Sequence, residues 1–590
     1  MSGVPFEDSR RLTGANLYFD GAGAALETAP ALAFDASTLQ RWRANIARAG
    51  AALGWPDGAV VVREHASGAS LAFAAPLDQL YVATEANEWA LYAALGLHAD
   101  ATPVDDDAEQ PRPHVAYFED EQALHQLAAL AREEAKPALL ALLDAAQAHD
   151  VPAHADDDAL SIGEGEGAQL WPTTALPNPD DVPWPRLHGI PKIVVTGSNG
   201  KTTTVRLLAA MLRATGRACG YSSTDGLFIN GERVEAGDYS GPVGARTVLR
   251  DARVQAAVLE TARGGLLRRG LVATDARVAV VTNVSPDHFG EYGIHDLVDL
   301  AAVKLTVAKA LAPGGLLVLN ADDAMLVKHA PSMKQQIGWF APDLADARVR
   351  GLPACGAHAG RLLLVTEAGE HDLGAITAMP LTVGGAARYN IANIAAASLA
   401  AYATGIAPDA IASVLARFGA SNADNPGRLQ RWTLGDVEVL LDYAHNPDGL
   451  RGLLHVAAGL RRSGRMALLL GHAGNRLEAD FRALAAVAVE ATPDRIWLKD
   501  IAGDYLRGRA SGDVAAILHD ELHARGMPLD ALPTCLDEAK AAREALSWAQ
   551  PGDLLVLPVH EPARRDEVVT LLDRLQAEGW QAGQPLPASD

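Results

Sequence analysis

The chain has 590 residues, of which 49% are hydrophobic, and carries a formal net charge of −23. A length of this order allows about three or four domains of ~150 residues, each able to bury a real core. The acidic balance argues against general binding to nucleic acid or to an anionic membrane, because either requires a basic face.

The opening residues, Met1 to Asp8, lack the basic and apolar regions of a signal peptide, and no apolar run nears the ~18 residues of a membrane span. The expected location is therefore the cytoplasm. Residues 1–187 read as an α+β domain. Apolar runs at Ala59–Val62 and Leu71–Ala74 suggest strands, and Leu39–Ala52 and Gln122–Ala148 suggest helices. Asp35 or Ser37 is placed to cap the first helix, and Pro137 should kink or divide the second. Acidic runs at Asp105–Asp107 and Asp156–Asp158 read as solvated loops. Between Gly163 and Pro191 the Gly and Pro content favours extended backbone, so the stretch reads as an interdomain linker whose tryptophans, among them Trp171 and Trp184, pack along a surface.

Residues 188–424 alternate strand-like and helical runs: Ile193–Thr196, helix Thr202–Thr215, Ala256–Glu260, Val278–Asn283, helix Asp296–Leu311 and Leu316–Asn320. Such alternation indicates a parallel sheet covered by helices, with ligands expected outside the carboxyl ends of the strands. A helical segment near Tyr389–Ala401 closes this domain. Residues 425–590 resume the pattern with strands Val437–Leu441, Met466–Gly471, Arg495–Leu498 and Leu554–Pro558, which makes a second, Rossmann-like α/β domain. Three cysteines, Cys219, Cys355 and Cys535, stand far apart and read as buried thiols in a reducing compartment.

The stretch richest in chemistry follows the run Ile193–Val195: Thr196-Gly197-Ser198-Asn199-Gly200-Lys201-Thr202-Thr203-Thr204. Glycines let a backbone approach a phosphate closely, successive N–H groups point into the loop, and the helix start adds partial positive charge. Lys201 is placed to neutralise the outer phosphates and the Thr202 hydroxyl to ligate magnesium. Only Ser198 and Asn199 separate the two glycines, where the common P-loop has four residues. A tight turn capping a helix explains a lysine and three threonines poorly. Glu260 ends a buried-looking strand, where a carboxylate is costly unless it binds a cation or is paired. Asp287 and His288 fall on a loop at the same sheet edge, and Lys304 lies on a following helix, either directed at the site or snorkelling to solvent.

Eight motifs occur in order: GSNGKTTT at Gly197–Thr204, Glu260, TNVSPDH at Thr282–His288, Lys304, NADD at Asn320–Asp323, NIAN at Asn390–Asn393, PGR at Pro426–Arg428 and DYAHNPDG at Asp442–Gly449. Together they resemble the Mur ligase superfamily. Within it, Glu260-Thr261-Ala262-Arg263-Gly264-Gly265 and Leu506-Arg507-Gly508-Arg509 are similar to the Mur-ligase-like module of the cyanophycin synthetases, and Arg10–Asn16 and Trp171-Pro172 resemble their N-terminal domain. Those enzymes carry an ATP-grasp domain between the two parts, whereas here the linker leads straight to Ile193.

The resemblance implies an ATP- and magnesium-dependent ligase that activates a carboxylate as an acyl phosphate and couples it to an amine. The implied partners are an amino acid, arginine or another basic one, and a carboxylate of an aspartate-containing peptide or small molecule. It also implies that the backbone of Gly197, Ser198, Asn199, Gly200, Lys201, Thr202 and Thr203 binds the nucleotide with Asn283, Asn390, Asn393, Arg428 and Asp442. Thr202, Glu260 and His288 would hold metal, and Lys201, Glu260, His288, Lys304 and Arg428 would carry catalysis. Lys304 matches a position carbamylated in several relatives, although a plain lysine can instead meet the phosphate directly. Arg263 is the residue expected to hold the acceptor carboxylate, with His445, Asn446, Asn475 and Arg476 facing the substrates. Asp500, Arg507 and Arg509 are further candidates for the amine, alongside a surface salt-bridge role. Two other readings stay open: a ligase taking ammonia from a glutaminase partner, and a nucleotide-binding accessory protein of cyanophycin metabolism. A homo-oligomer is left open as well.

Overall fold

The N-terminal apolar runs pair into an antiparallel sheet, β1 (Phe6–Leu12), β2 (Gly23–Thr28), β3 (Val60–His65) and β4 (Gly68–Ala74), in the order β1-β2-β4-β3. The computed structural model describes residues 4–30, 35–97, 115–287, 289–501 and 503–588. Strand side chains alternate, so Ala24, Leu26, Leu71 and Phe73 pack on helices α1 (Ala36–Leu53), α2 (Leu80–Leu95) and α3 (Asp120–Glu134) around Trp42 and Trp89. Leu12, Ala25 and Ala72 join Phe19 in a second cluster. Asp35 caps α1 by accepting from the Thr38 N–H at 2.7 Å. The second helical run is divided as expected, because α4 (Pro137–Ala148) starts at Pro137, where the missing N–H is harmless.

The stretch read as a linker is partly a sheet. Strands β5 (Ala153–Ala155), β6 (Ala159–Ile162) and β7 (Gln169–Pro172) form a small antiparallel sheet against which Trp171 and Trp184 pack, together with Leu139 and Leu142. Strands of three or four residues are shorter than a period-2 pattern needs to be seen. The Asp156–Asp158 loop is also less solvated than expected, since Asp156 pairs with Arg250 at 2.5 Å. The other acidic run, Asp105–Asp107, lies outside the described residues.

Beyond it, β8 (Lys192–Thr196), α5 (Lys201–Ala214), β9 (Cys219–Ser223), β10 (Gly226–Ile229), β11 (Glu232–Glu235), α6 (Pro242–Arg250), β12 (Ala256–Glu260), α7 (Arg263–Arg268), β13 (Ala276–Val281), α8 (Leu297–Leu305) and β14 (Leu311–Asn320) follow. Their sheet order is β11-β10-β9-β12-β8-β13-β14, with β9, β12, β8, β13 and β14 parallel. Registers of Glu260 against Val195 and of Val281 against Thr196 bring the ends of β12, β8 and β13 to one edge. The N-terminal sheet is tied to this part through Arg10 Nε donating to the Leu267 carbonyl at 2.8 Å and Arg63 pairing with Asp299 at 2.6 Å. Next come α9 (Ala324–His329), β15 (Gln336–Asp343), α10 (Leu344–Arg348), the antiparallel strands β16 (Ala354–His358), β17 (Arg361–Thr366) and β18 (Gly369–Ala375), then α11 (Arg388–Ala403) and α12 (Pro408–Leu415).

The C-terminal sheet has the order β19-β20-β23-β21-β22, where β19 is Gln430–Leu434, β20 Val437–Asp442, β21 Met466–Leu470, β22 Arg495–Leu498 and β23 Leu554–Pro558. Only the edge strand β19 is antiparallel. Helices α13 (Pro447–Leu460), α14 (Glu478–Glu490) and α15 (Asp513–Ala524) cover the face bearing Leu440, Leu468 and Val556. Helices α16 (Glu538–Trp548) and α17 (Pro562–Ala577) cover the face bearing Leu441, Leu469 and Leu557. The mixed α/β class and the Rossmann-like final sheet agree with the sequence reading. The chain divides into two compact units, Met1–Trp339 with Leu399–Ile406, and Phe340–Ser398 with Ala407–Asp590. Cys219 and Cys355 are buried as expected, whereas Cys535 is only half-buried. Among the described residues no helix is long and apolar enough to cross a membrane.

Candidate active site

The first unit builds a phosphate loop where β8 gives way to α5. Gly200 closes the loop at φ +84° as the helix N-cap, so the first N–H groups of α5 have no side-chain cap. Gly197 sits at φ +149°, and a Cβ there would lie 1.8 Å from Thr282 Oγ1. Gly197→Ala is thus expected to destabilise the protein by roughly 3 kcal/mol from strain and overpacking; an unchanged thermal midpoint would contradict this placement.

The loop after the neighbouring strand β13 holds the phosphate loop in shape. Ser198 N–H donates to the Asn283 carbonyl at 3.0 Å, and Asn199 N–H to Asn283 Oδ1 at 2.8 Å. Asn283 Nδ2 returns a bond to the Asn199 carbonyl at 3.1 Å, and Thr282 Oγ1 donates to the same carbonyl at 2.6 Å. Ser198 Oγ and the backbone of Ser285 bond reciprocally at 2.9 and 3.0 Å. Asp323 and Asn320, from the NADD stretch, in turn hold this second loop through Val284 N–H at 2.6 Å and the Thr282 carbonyl at 3.0 Å. Asn283, expected to bind the nucleotide, thus has its side-chain amide engaged in shaping the loop that would. Lys201 Nζ lies over the loop, 3.1 Å from the carbonyls of both Gly197 and Ser198.

On the other side of β8, Glu260 is fully buried. Its carboxylate accepts from Thr202 Oγ1 at 2.9 Å and from Thr224 Oγ1 at 2.8 Å. Thr224, on the turn between β9 and β10, was not anticipated; its only signal in the sequence is a polar turn at the same sheet edge. Lys304 is 3% exposed, so it does not snorkel. Burial and the Lys201 charge push its pKa well below the lysine range, against the opposing influence of Asp287 and Asp323. Arg263, at the start of α7, pairs with Glu291 while its second terminal nitrogen is buried without a hydrogen-bond partner. His288 lies outside the described residues. Among the described residues no group of three or more His, Cys, Asp or Glu is placed to hold a metal by itself. The oxygen donors Thr202 and Glu260 nevertheless suit magnesium, which takes one or two protein ligands beside phosphate and water.

The second unit carries the remaining candidates. Arg428 Cζ lies 4.4 Å from the Tyr443 ring centroid, and its terminal nitrogen donates to the Gly427 carbonyl at 3.1 Å. Asp442 accepts from the Leu429 N–H at 2.7 Å; burial raises its pKa against the lowering effect of Arg428. Asn390 and Asn393 are buried, Asn393 Nδ2 donating to Asn390 Oδ1 at 3.1 Å and Asn390 Nδ2 to the Leu381 carbonyl at 2.9 Å. Asn446 caps α13 by accepting from the Gly449 N–H at 2.8 Å, and His445 Nδ1 lies 3.3 Å from the Tyr443 carbonyl. In the loop after β21, Asn475 is exposed and Arg476 buried. That loop is braced by Arg509 Nε donating to the Gly474 carbonyl at 2.8 Å. Asp500 accepts from Ser511 Oγ at 2.7 Å and Gly512 N–H at 2.8 Å, so it organises the start of α15.

Sequence reasoning also missed a triad at the carboxyl ends of β22 and β23. Lys499, Glu538 and His560 are each no more than 1% exposed. Lys499 Nζ pairs with Glu538 and lies 3.0 Å from His560 Nδ1, while His560 Nε2 lies 3.1 Å from the Ala444 carbonyl. An ammonium can only donate, so the shorter contact makes Nδ1 an acceptor and leaves Nε2–H to donate, the neutral tautomer; the longer 3.3 Å contact of Nδ1 with Glu538 Oε1 is one that only a protonated Nδ1 would use. Its pKa is pushed down to about 4, by burial and then by Lys499. The ring also packs edge-on against Tyr443, with centroids 5.3 Å apart.

A glycine loop leading from a buried strand into a helix, with a lysine and a threonine beside a buried carboxylate, defines a nucleotide-using enzyme of the phosphate-loop class. Comparison with known proteins narrows this. The profile of the Mur ligase middle domain matches residues 195–401, and that of the Mur ligase glutamate ligase domain matches residues 427–558. The chain belongs to the Mur ligase family, whose members are ATP-dependent ligases. It is 37% identical over 396 residues to a cyanophycin synthetase of Trichormus variabilis, covering 66% of this chain and 43% of that one. The chain therefore spans less than half the length of that relative. It is 32% identical over 396 residues to the UDP-N-acetylmuramoyl-L-alanyl-D-glutamate–2,6-diaminopimelate ligase of Xanthomonas campestris, covering 64% of this chain and 74% of that one. Among solved structures, E. coli FolC in complex with ADP matches with 19% identity and a TM-score of 0.49, over 66% of this chain and 90% of that one.

Proposed function

We propose that this protein joins an amino acid, arginine or another basic one, to a carboxylate of an aspartate-containing peptide or small molecule at the expense of ATP. The observation that carries the reading is Arg263, three residues beyond the buried Glu260, with a terminal nitrogen that no described group satisfies. A guanidinium held in this way suits a substrate carboxylate, which it binds as a fork. That carboxylate oxygen would attack the γ-phosphorus of ATP, breaking the bond to ADP and leaving an acyl phosphate. The amine nitrogen would then attack the carbonyl carbon, lose a proton, and expel phosphate with the C–O bonding pair. Charge spreads over the transferring phosphoryl group, so positioning and cationic stabilisation dominate.

In this reading Lys201 meets the outer phosphates, the loop N–H groups hold the rest of the triphosphate, Arg428 serves the γ-phosphate and Asp442 the ribose, and Asn390 and Asn393 lie near the adenine. Magnesium, held by Thr202 and Glu260 with His288 at a second site, would supply Lewis-acid charge to the phosphates. Burial and the Lys201 charge disfavour the charged form of the Lys304 amine, and the neutral form is the one that reacts with carbon dioxide, which supports carbamylation over a direct charge contact. A screen of amino acids against β-aspartyl-type acceptors, read by ADP and phosphate release, tests the proposal. Substrate-dependent release that vanishes in Lys201→Ala is the expected outcome; no such release with any pair would sink it.

A further inference from the structure

We propose that the C-terminal domain carries a second binding site, a cleft between β22 and α16 that takes a small flat aromatic molecule bearing an anionic group, a carboxylate or a phosphate. The cleft has a volume of about 420 Å³, within the range of small-molecule sites, and its lining residues all belong to the second unit. One wall is formed by Arg495 and Trp497, which are two residues apart on β22 and so share one face of that strand. The other wall is α16, where Arg543 and Ser547, and likewise Glu544 and Trp548, stand four residues apart and so present one helix face. Leu586, beyond α17, packs against the same core and completes the lining.

The side chains in this cleft suit such a ligand. The Trp497 and Trp548 rings meet edge to face, with centroids 5.8 Å apart, and make an apolar corner for a flat ring. Arg465 stacks on Trp548 at 3.6 Å, but its charge is met by Asp553 at 2.6 Å. The cations that line the cleft are not met in this way. Arg495 rests over the Trp497 ring at 5.1 Å, and its buried Nε has no hydrogen-bond partner among the described residues. Arg543 donates to the Pro587 carbonyl, a neutral acceptor. Glu544, the carboxylate of the cleft, is engaged by Trp497 Nε1 at 2.9 Å. Positive charge thus stands beside an apolar corner. A carboxylate or phosphate suits the forked guanidinium, and a ring joined to it suits the indoles. Burying part of a guanidinium without an acceptor is costly, and an anion at its terminal nitrogens offsets that cost. None of these groups belongs to the proposed nucleotide site. Cleft and buried triad lie at opposite ends of α16, which runs from Glu538 to Trp548.

The test is isothermal titration of the full chain, without nucleotide, with β-naphthoate and with β-naphthyl phosphate. Wild type should bind at least one of them at millimolar concentration or below, more weakly as salt rises, and the tighter of the two names the anion. β-Naphthamide, which keeps the ring and loses the charge, should bind roughly tenfold more weakly. Arg495→Gln and Arg543→Gln should each weaken binding roughly fivefold, and Arg350→Gln, exposed elsewhere, should leave it unchanged. Thermal melting checks that each variant folds, and the naphthamide comparison needs no variant. Absence of binding by both anions, equal binding of β-naphthamide, or undiminished binding in both cleft variants would overturn the proposal. So would loss of binding in Lys201→Ala, since the anion would then lie in the phosphate loop. No turnover is read, so failure here leaves the ligase reading standing, and failure of that reading leaves the cleft.

Discussion

Lys201→Ala should lower substrate-dependent ADP release by roughly 10²–10³-fold or more, while the thermal midpoint moves by no more than a few degrees. The two effects separate because of where the ammonium sits. Its bonds in the free protein are two 3.1 Å contacts to the carbonyls of Gly197 and Ser198, and the side chain is only half-buried. Such contacts contribute about 1 kcal/mol net to stability. In the proposed reaction the same cation would face charge developing on a transferring phosphoryl group, where a preorganised donor is worth about 3–4 kcal/mol. Lys201→Arg should not restore activity, since the planar guanidinium cannot occupy the space of a compact ammonium. Release reduced less than tenfold in Lys201→Ala would remove the lysine from phosphate chemistry.

The second large effect is expected in Lys499→Met. Losing the ammonium leaves the buried Glu538 carboxylate with the neutral His560 ring and the backbone N–H groups of His560 and Glu561 but without its cation, and uncompensated buried charges of this kind destabilise by about 3–5 kcal/mol. The pH dependence should also reverse. In the wild type the His560 pKa is depressed to about 4 from an ordinary value near 6.5, so between these values the unfolded chain binds the extra proton. Stability from this group is complete above pH 6.5 and is lost as pH falls towards 4. Glu538 acts in the same direction at lower pH. Burial alone would raise its pKa, but Lys499 and His560 hold it far below the usual carboxylate range. With Lys499 gone, His560 becomes the cation that Glu538 needs, so its folded pKa should rise above 6.5. Stability would then be fullest below that value and be lost as pH rises through the new one. Urea unfolding at pH 5, 6, 7 and 8 reads both slopes, and parallel slopes in the two proteins would show that the lysine does not control the histidine. The triad also pins the Ala444 carbonyl next to Tyr443 and Asp442, so with the ribose role proposed for Asp442 the variant should raise the KM for ATP.

What could be read without coordinates was whatever lies close together along the chain. The phosphate loop, Glu260 at its strand end and Pro137 dividing a helix are local facts, set by the spacing of glycines, by burial patterns and by a missing N–H. The two α/β regions were legible for the same reason, since each strand and helix declares its own period. Tertiary structure alone decided which polar groups meet. Thr224 reaches Glu260, Asn283 shapes the loop at Asn199, and Lys499, Glu538 and His560 converge from the end of β22, the start of α16 and the end of β23, none through a spacing that a motif could reveal. The arginines that pair with Asp156 and Asp157 come from α6 and β1. Burial likewise separated the two readings of Lys304, because solvent exposure is a property of the packed chain and leaves no mark on a single helix turn.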